Sequence, residues 1–298
     1  MSTRMNWPLV TVYIPTYNRP EMLERAVDSV LSQGYDNLEI LVVDDSSESI
    51  HQKKLEQLSC QKGFTLLTNR HQKGACGARN TAIMNAKGLF ITGLDDDDEF
   101  LPNRIEQMLE AFDHEKYAAV STTTFVQLGN NDRVLRNADR GVFHTEDQLH
   151  YNKIGNQVFT LTERLKSIGG FDENLPAFQD YDAWLRLSCD YGPILKIDLP
   201  SYITHTEHEN RISSSSQKKE RGLQLFRQKH AALMNKEHKK SLKLLEMQHS
   251  GKKIPLWELF SVISTKNWKP AVSLYLDQNV PSLAKHIRLL KLMMARAR

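Results

Sequence analysis

Features that would mark a secreted or membrane-spanning chain are sparse in this sequence. Cysteine is nearly absent: Cys60, Cys76 and Cys189 are the full set in 298 residues. They form no CxxC pair, and their odd number argues against a disulfide framework. No apolar run approaches the ~18 residues of a membrane span, and the opening MSTRMNWPLV lacks the apolar centre of a secretory signal. Reduced thiols and a cytoplasmic location are the expectation. Glycine-rich phosphate loops are missing too, since Gly74 and Gly77 in GACGARN fit neither the Walker pattern nor GxGxxG.

What is present describes an ordinary globular chain, 40% hydrophobic and 25% charged, long enough for one large domain or a domain with an appendage. The net charge of +3 hides an asymmetry. Residues 1–212 carry 21 Lys+Arg against 31 Asp+Glu, a net of −10, whereas residues 213–298 carry 18 against 5, a net of +13. This predicts an acidic body and a basic tail with an anionic partner.

Along the body, strand and helix signals alternate. LVTVYIP reads as a strand, residues 20–32 as a helix opened by Pro20, and LEILVVDD as a buried strand that breaks on two aspartates. A helix over 47–60, a strand at FTLLT, a helix over 76–86 and a strand at GLFITGL follow. Such alternation predicts βαβ units and an α/β fold with a mostly parallel sheet flanked by helices. After Pro102 come a helix and the strand YAAVSTTTFVQL, then an irregular polar stretch over 127–160. QDYDAWLRLSCDYG reads as a helix ended by Gly192. Beyond residue 212 the chain is Lys-rich and helical with no strand signal.

Three features fall at strand carboxyl ends, where open α/β sheets bind ligands: PTYN at 15–18, DDSS at 44–47 and DDDD at 95–98. Carboxylates converging there repel at roughly 4 kcal/mol per close pair for an effective dielectric near 20. A shared cation is implied, and a divalent hard ion bound with a substrate diphosphate is the simplest. The blander alternative is a solvated acidic loop whose charge complements the dipole of the next helix.

VTVYIPTYNR, EILVVDDSS, GACGARNTAI, GLFITGLDDDDEFLP and GGFDENLPAFQDYDAWLRL, in that order, resemble the family 2 glycosyltransferases, inverting enzymes of the GT-A fold. The resemblance spans residues 8–212. It implies a nucleotide-binding Rossmann-like half and an acceptor half over residues 1–212, with 213–298 as a basic helical extension.

The family's D-x-D-D pattern falls on Asp95, Asp96, Asp97 and Asp98. It implies that Asp97 binds Mn2+ or Mg2+ with the nucleotide diphosphate and that Asp95 lies toward ribose and sugar. Asp96 occupies the variable slot within that nucleotide-sugar loop, and Asp98 supports the turn. Asp44 matches the residue that reads the base by accepting a uracil imide N–H; Asp45 is equally a turn residue. Pro15, Thr16 and Tyr17 match the first nucleotide-contacting loop, with Tyr17 as a core aromatic the alternative. Arg79 matches a basic residue near the nucleotide.

The family's general base is the aspartate of an Glu-Asp pair, here Gln179-Asp180, so Asp180 is implied as the base. The glutamine removes a like charge that would raise its pKa. Asp182 is the competitor, and helix capping is the alternative for both. Trp184 is assigned to packing and Arg186 to a structural ion pair. His205, with His208 as runner-up, matches a histidine that reaches the metal or diphosphate.

The implied donor is a UDP-sugar, a UDP-hexose or UDP-N-acetylhexosamine, and the implied acceptor a saccharide or lipid-linked saccharide of a cell-surface polysaccharide. In PSLAKHIRLLKLMMARAR, Leu283, Ile287, Leu290 and Met294 form one stripe among basic residues. That suits either an anionic membrane surface at the inner face of the cell membrane, or packing on the body or in a homo-oligomer. Two other functional classes stay open: a sugar nucleotidyltransferase, and a nucleic-acid-binding protein using the tail, although no reader motif is present.

Overall fold

The computed structural model describes residues 7–129, 132–136, 139–205, 216–250 and 253–282. The chain divides into two compact units. One comprises Met1–Gln148, Asn152–Leu175 and Gln179–Asn210; the other comprises Leu149–Tyr151, Pro176–Phe178 and Arg211–Arg298.

The first unit opens with β1 (Val10–Thr16), α1 (Pro20–Leu31), β2 (Leu38–Asp44), α2 (Ser49–Lys62), β3 (Thr65–Thr68), α3 (Ala75–Asn85) and β4 (Phe90–Gly93). The four strands are parallel in the order β3-β2-β1-β4. All of β1 is buried, as expected of a strand covered on both faces. Its alternate residues feed two cores. Val10, Val12 and Ile14 pack with Leu23, Val27 and Val30 of α1 and Leu55 of α2, whereas Tyr13 packs with Ala78 and Ile83 of α3.

The second half comprises β5 (Glu99–Phe100), α4 (Arg104–Ala111), β6 (Ala119–Leu128), β7 (Asp132–Arg136), β8 (Gly141–Phe143), α5 (Thr145–Gln148), β9 (Phe159–Leu161), α6 (Thr162–Ser167), α7 (Gln179–Tyr191) and β10 (Ile194–His205). Here the sheet is mixed: β9 inserts antiparallel between β4 and β6, while β10 runs parallel to β6. The expected irregularity over 127–160 is therefore only partial. Strand β7 pairs with β6, and β8 with β10. The side chains of β7 are all exposed, so its sequence DRVLR carries no buried apolar face from which a strand could be read.

Two local features open the sheet above its carboxyl ends. Pro15 sits in a strand paired on both sides, where a missing N–H is ordinarily costly. Its backbone faces the β4 side, as that of Tyr13 does in bonding Leu94, but pairing with β4 ends at Tyr13 and Gly93. No ladder bond is lost, and the strands part there. Gly93 ends β4 because a Cβ would lie 2.4 Å from the Tyr13 ring and 2.2 Å from Gln157 Oε1.

The second unit holds α8 (Ser216–Lys229), α9 (Lys236–Ser250), α10 (Leu256–Val262) and α11 (Trp268–Asn279). A small core of Leu244, Met247, Ile254, Leu259, Val262 and Ala271 joins the last three. No helix among the described residues is long and apolar enough to cross a membrane. The stripe from Leu283 to Met294 lies outside the described residues.

Candidate active site

Strand β1 has β2 on one side and β4 on the other. The connection through α1 leads from β1 to β2 on one side, and the crossover through α3 from β3 reaches β4 on the other, so the strand order reverses at β1 and makes a crevice at the carboxyl ends. Thr16, Asp44 and the run Asp95–Asp98 stand at these ends.

The run folds as one tight turn, with the Asp98 N–H donating to Asp95 O at 3.0 Å. Burial divides it: Asp96 and Asp98 are buried, Asp95 and Asp97 only partly. Asp96 accepts a 2.8 Å bond from Thr16 Oγ1, and burial pushes its carboxyl up to about 6. Asp98 accepts from the Tyr202 hydroxyl at 2.8 Å and from the His205 N–H at 3.1 Å, and its carboxyl is raised well above the ordinary range, first by desolvation and then by Asp95 and Asp97. The same Tyr202 hydroxyl accepts from the Asp95 N–H at 3.3 Å. One phenol thus holds both ends of the turn from behind.

Much of the cationic charge expected beside these carboxylates is arginine. Arg79 Nη2 lies 2.7 Å from Asp95 Oδ1, and Arg19 Nη1 lies 3.4 Å from both Asp96 Oδ1 and Asp97 Oδ2. Arg25 donates to the Asp97 carbonyl at 2.8 Å and pairs with Glu99 at 3.1 Å. Arg79 was anticipated in the sequence; Arg19 and Arg25 were not. Arg19 follows directly on PTYN, and Arg25, on α1 with its side chain 38% exposed, gave no sign of reaching the acidic turn.

These arginines neutralise the turn incompletely, and its partly exposed carboxylates are a hard, oxygen-only donor set of the kind that Mg2+ or Mn2+ takes. Asp95 and Asp97, with side chains 24% and 13% exposed, are the carboxylates of the run that could hold such an ion.

Asp180 lies in the first turn of α7. Asn152 Nδ2 donates to its Oδ2 at 2.9 Å. Its carboxyl is pushed up to about 6, chiefly by burial; Arg79 pulls it down and Asp95 pushes it up. Asp180 is therefore close enough to Arg79 and Asp95 to feel both charges. Asn152, in the stretch without a recognised motif, gave no signal in the sequence.

Asp182 points elsewhere: it is fully buried and pairs with Arg186 Nη2 at 2.8 Å, while Trp184 is fully buried and donates to Gly155 O at 2.9 Å. Trp184 is thus buried in packing, and Arg186 forms the ion pair expected of it, with Asp182.

Asp44 is buried and its carboxylate accepts the Ser47 N–H at 3.1 Å. Asp45 ties the end of β2 to the loop before α3, accepting from Asn69 Nδ2 at 2.6 Å and from the Gly74 N–H at 3.0 Å. Gly77 lets this loop pack on α3, since a Cβ would sit 2.0 Å from Gln72 O; close backbone packing explains it without a phosphate. Pro15 is buried, and Thr16 spends its hydroxyl on Asp96. Tyr17 is 43% exposed with Lys73 Nζ 4.7 Å from its ring centroid, so the core-aromatic alternative fails. His205 stands at the end of β10 with Nε2 2.7 Å from Glu99 Oε1. His208 lies outside the described residues.

Residues 11–168 match the family model described as Glycosyl transferase family 2. The chain is 36% identical over 276 residues to the putative colanic acid biosynthesis glycosyl transferase WcaA of Escherichia coli strain K12, covering 89% of this chain and 96% of that protein. It is 31% identical to the Escherichia coli UDP-Glc:alpha-D-GlcNAc-diphosphoundecaprenol beta-1,3-glucosyltransferase WfgD over 61% of this chain and 70% of that one. Among solved structures, S. aureus TarS 1-349 in complex with UDP-GlcNAc shares the fold with a TM-score of 0.62 and 17% identity, over 91% of this chain and 81% of that one.

Proposed function

The chain belongs to glycosyl transferase family 2, and from that premise we propose that it moves a sugar from a UDP-sugar, a UDP-hexose or UDP-N-acetylhexosamine, to a saccharide or lipid-linked saccharide with inversion at the anomeric carbon. In this reading residues 1–212 carry catalysis in the synthesis of a cell-surface polysaccharide, as the names of WcaA and WfgD suggest.

The observation that supports the proposal is that the Asp180 carboxyl, raised chiefly by burial and held by Asn152 at 2.9 Å, feels the charges of Arg79 and Asp95, which are themselves paired at 2.7 Å. Displacing a nucleoside diphosphate requires charge stabilisation at the leaving group and removal of a proton from the acceptor hydroxyl. Asp180 takes the proton; with its pKa near 6 it is ionised at neutral pH and a stronger base than an ordinary aspartate. Asn152 fixes the orientation of that carboxylate. A divalent ion at Asp97, when bound, would neutralise the departing diphosphate. Arg79 holds Asp95 toward the ribose and sugar. Asp44 reads the base, and the exposed face of Tyr17 stacks on it within the loop that starts at Pro15 and Thr16. Asp96 and Asp98 keep the turn in shape, and His205 stands at the rim where the diphosphate would lie.

The test is a screen of nucleotide sugars with Mn2+ or Mg2+, following thermal stabilisation and nucleotide release, with chelator controls. UDP release that depends on acceptor and ion is expected, with product NMR reporting an inverted anomeric centre. Release of pyrophosphate, or no response to any UDP-sugar, would overturn the proposal. We further place the enzyme on the inner face of the cell membrane, a reading supported by the +13 of residues 213–298 and by the undecaprenol-linked acceptor in the name of WfgD.

A further inference from the structure

The most unusual surface of the second unit is apolar. On α10, Trp257 is 72% and Phe260 66% exposed, with Leu256 beside them at 49%. Leu259 and Val262, on the opposite side of that helix, are buried in the unit's core. On α11, Trp268 is 51% and Val272, one turn on, 40% exposed. Large aromatics left in water on two neighbouring helices are costly and mark an interaction surface.

The charge around this surface selects the partner. Exposed Lys253 precedes α10, exposed Lys266 and Lys269 flank Trp268, and Lys269 Nζ lies 5.6 Å from the Trp268 ring centroid. The region from residue 213 onward carries +13. Two copies meeting through this unit would each bring a strongly positive net charge, and the acidic residues nearby, Glu258 and Asp277, are outnumbered by the three lysines. Anionic headgroups are complementary to the lysines, and tryptophan and phenylalanine suit the boundary between headgroups and acyl chains. Durable attachment of a protein without a spanning helix takes two signals, such as apolar insertion and a basic patch, and both are present.

We propose that Leu256, Trp257, Phe260, Trp268 and Val272 form a monotopic docking face that inserts into an anionic lipid surface, with Lys253, Lys266 and Lys269 at the headgroups. This deepens the inner-membrane reading and rests on it. It does not rest on the transferase chemistry, so its failure would leave that chemistry standing.

The experiment uses the full chain and vesicles of phosphatidylcholine with or without phosphatidylglycerol. Wild type is expected to co-sediment with the anionic vesicles at low salt, and W257A/F260A to bind them at least tenfold more weakly with unchanged Tm and unchanged UDP release. Brominated acyl chains should quench the tryptophan emission of wild type but not of the conservative variant W257F/W268F, whose remaining tryptophans are Trp7 and Trp184. The proposal is overturned if wild type fails to bind anionic vesicles or if W257A/F260A binds them as wild type does. A self-association in sedimentation velocity that W257A/F260A abolishes would also overturn it, by assigning the face to a second copy.

Discussion

Asp180→Asn separates two consequences of one buried carboxyl. The replacement keeps the shape of the side chain, and its amide oxygen can accept the bond that Asn152 gives at 2.9 Å, so the crevice should stay intact. Proton removal is lost. A positioned general base contributes about 10²–10⁴-fold, and turnover should fall by that factor with little change in KM for the donor.

Stability should move the other way. The folded protein raises this carboxyl from 3.8 to about 6, so it binds its proton more tightly folded than unfolded. Below about pH 4 both states are protonated and nothing is lost. As pH rises through the window from about 4 to 6 the folded state is progressively penalised, and above it the full penalty stands, about 3 kcal/mol at 1.36 kcal/mol per unit. Partial exposure makes that an upper bound. Asp180→Asn removes the penalty, so its Tm should exceed that of wild type at pH 7 by a few degrees, with the gap closing toward pH 4. The assays are initial rates of UDP release against pH and calorimetric melting of both proteins. Wild-type kcat/KM should fall tenfold per unit below about pH 6. A flat profile down to pH 5, or turnover by Asp180→Asn within tenfold of wild type, would refute the assignment of the base.

Four substitutions test the rest of the site. Asp97→Ala should abolish ion-dependent turnover and the thermal shift produced by Mn2+ with UDP, measured by differential scanning fluorimetry. Tyr202→Phe removes the hydroxyl that holds the acidic turn at Asp98 and the Asp95 N–H; an unsatisfied buried group costs about 1–3 kcal/mol, and Mn2+ binding by calorimetry should weaken with the fold retained. Gly93→Ala drives a methyl into the Tyr13 ring and Gln157, and urea unfolding should show a loss of about 1–3 kcal/mol. Asp182→Ala removes the fully buried partner of the Arg186 guanidinium, which keeps its bonds to the Ile168 and Gly170 carbonyls; a loss of about 1–3 kcal/mol with kcat unchanged would separate it from Asp180.

The legible part of the sequence was the part whose meaning is local. A strand such as VTVYIPT announces itself because both faces are buried and nearly every residue is apolar or small; helix α1 begins where proline costs nothing. The four aspartates stood out because like charges crowded into one turn demand a counter-charge. What was not legible is what arrives from a distance. Arg19 and Arg25 reach the turn across more than 70 residues of chain, Tyr202 across more than 100, and Asn152 meets Asp180 across 28. None of these lies in a periodic pattern that shows which way its polar end points.

The same distinction corrects the first argument for a metal. Carboxylate repulsion alone implied an ion, yet two guanidiniums, Arg79 and Arg19, already meet part of that charge, and Arg25 pairs with Glu99 next to the run. Counter-charge is thinnest at Asp97, whose side chain is 13% exposed and which Arg19 approaches at 3.4 Å while also meeting Asp96 at 3.4 Å. A long, shared contact is readily exchanged for a closer cation. Arg19, 3.4 Å from both Asp96 and Asp97, is a guanidinium that could turn to a bound diphosphate, so Arg19→Ala should weaken UDP binding more than it weakens binding of the ion alone.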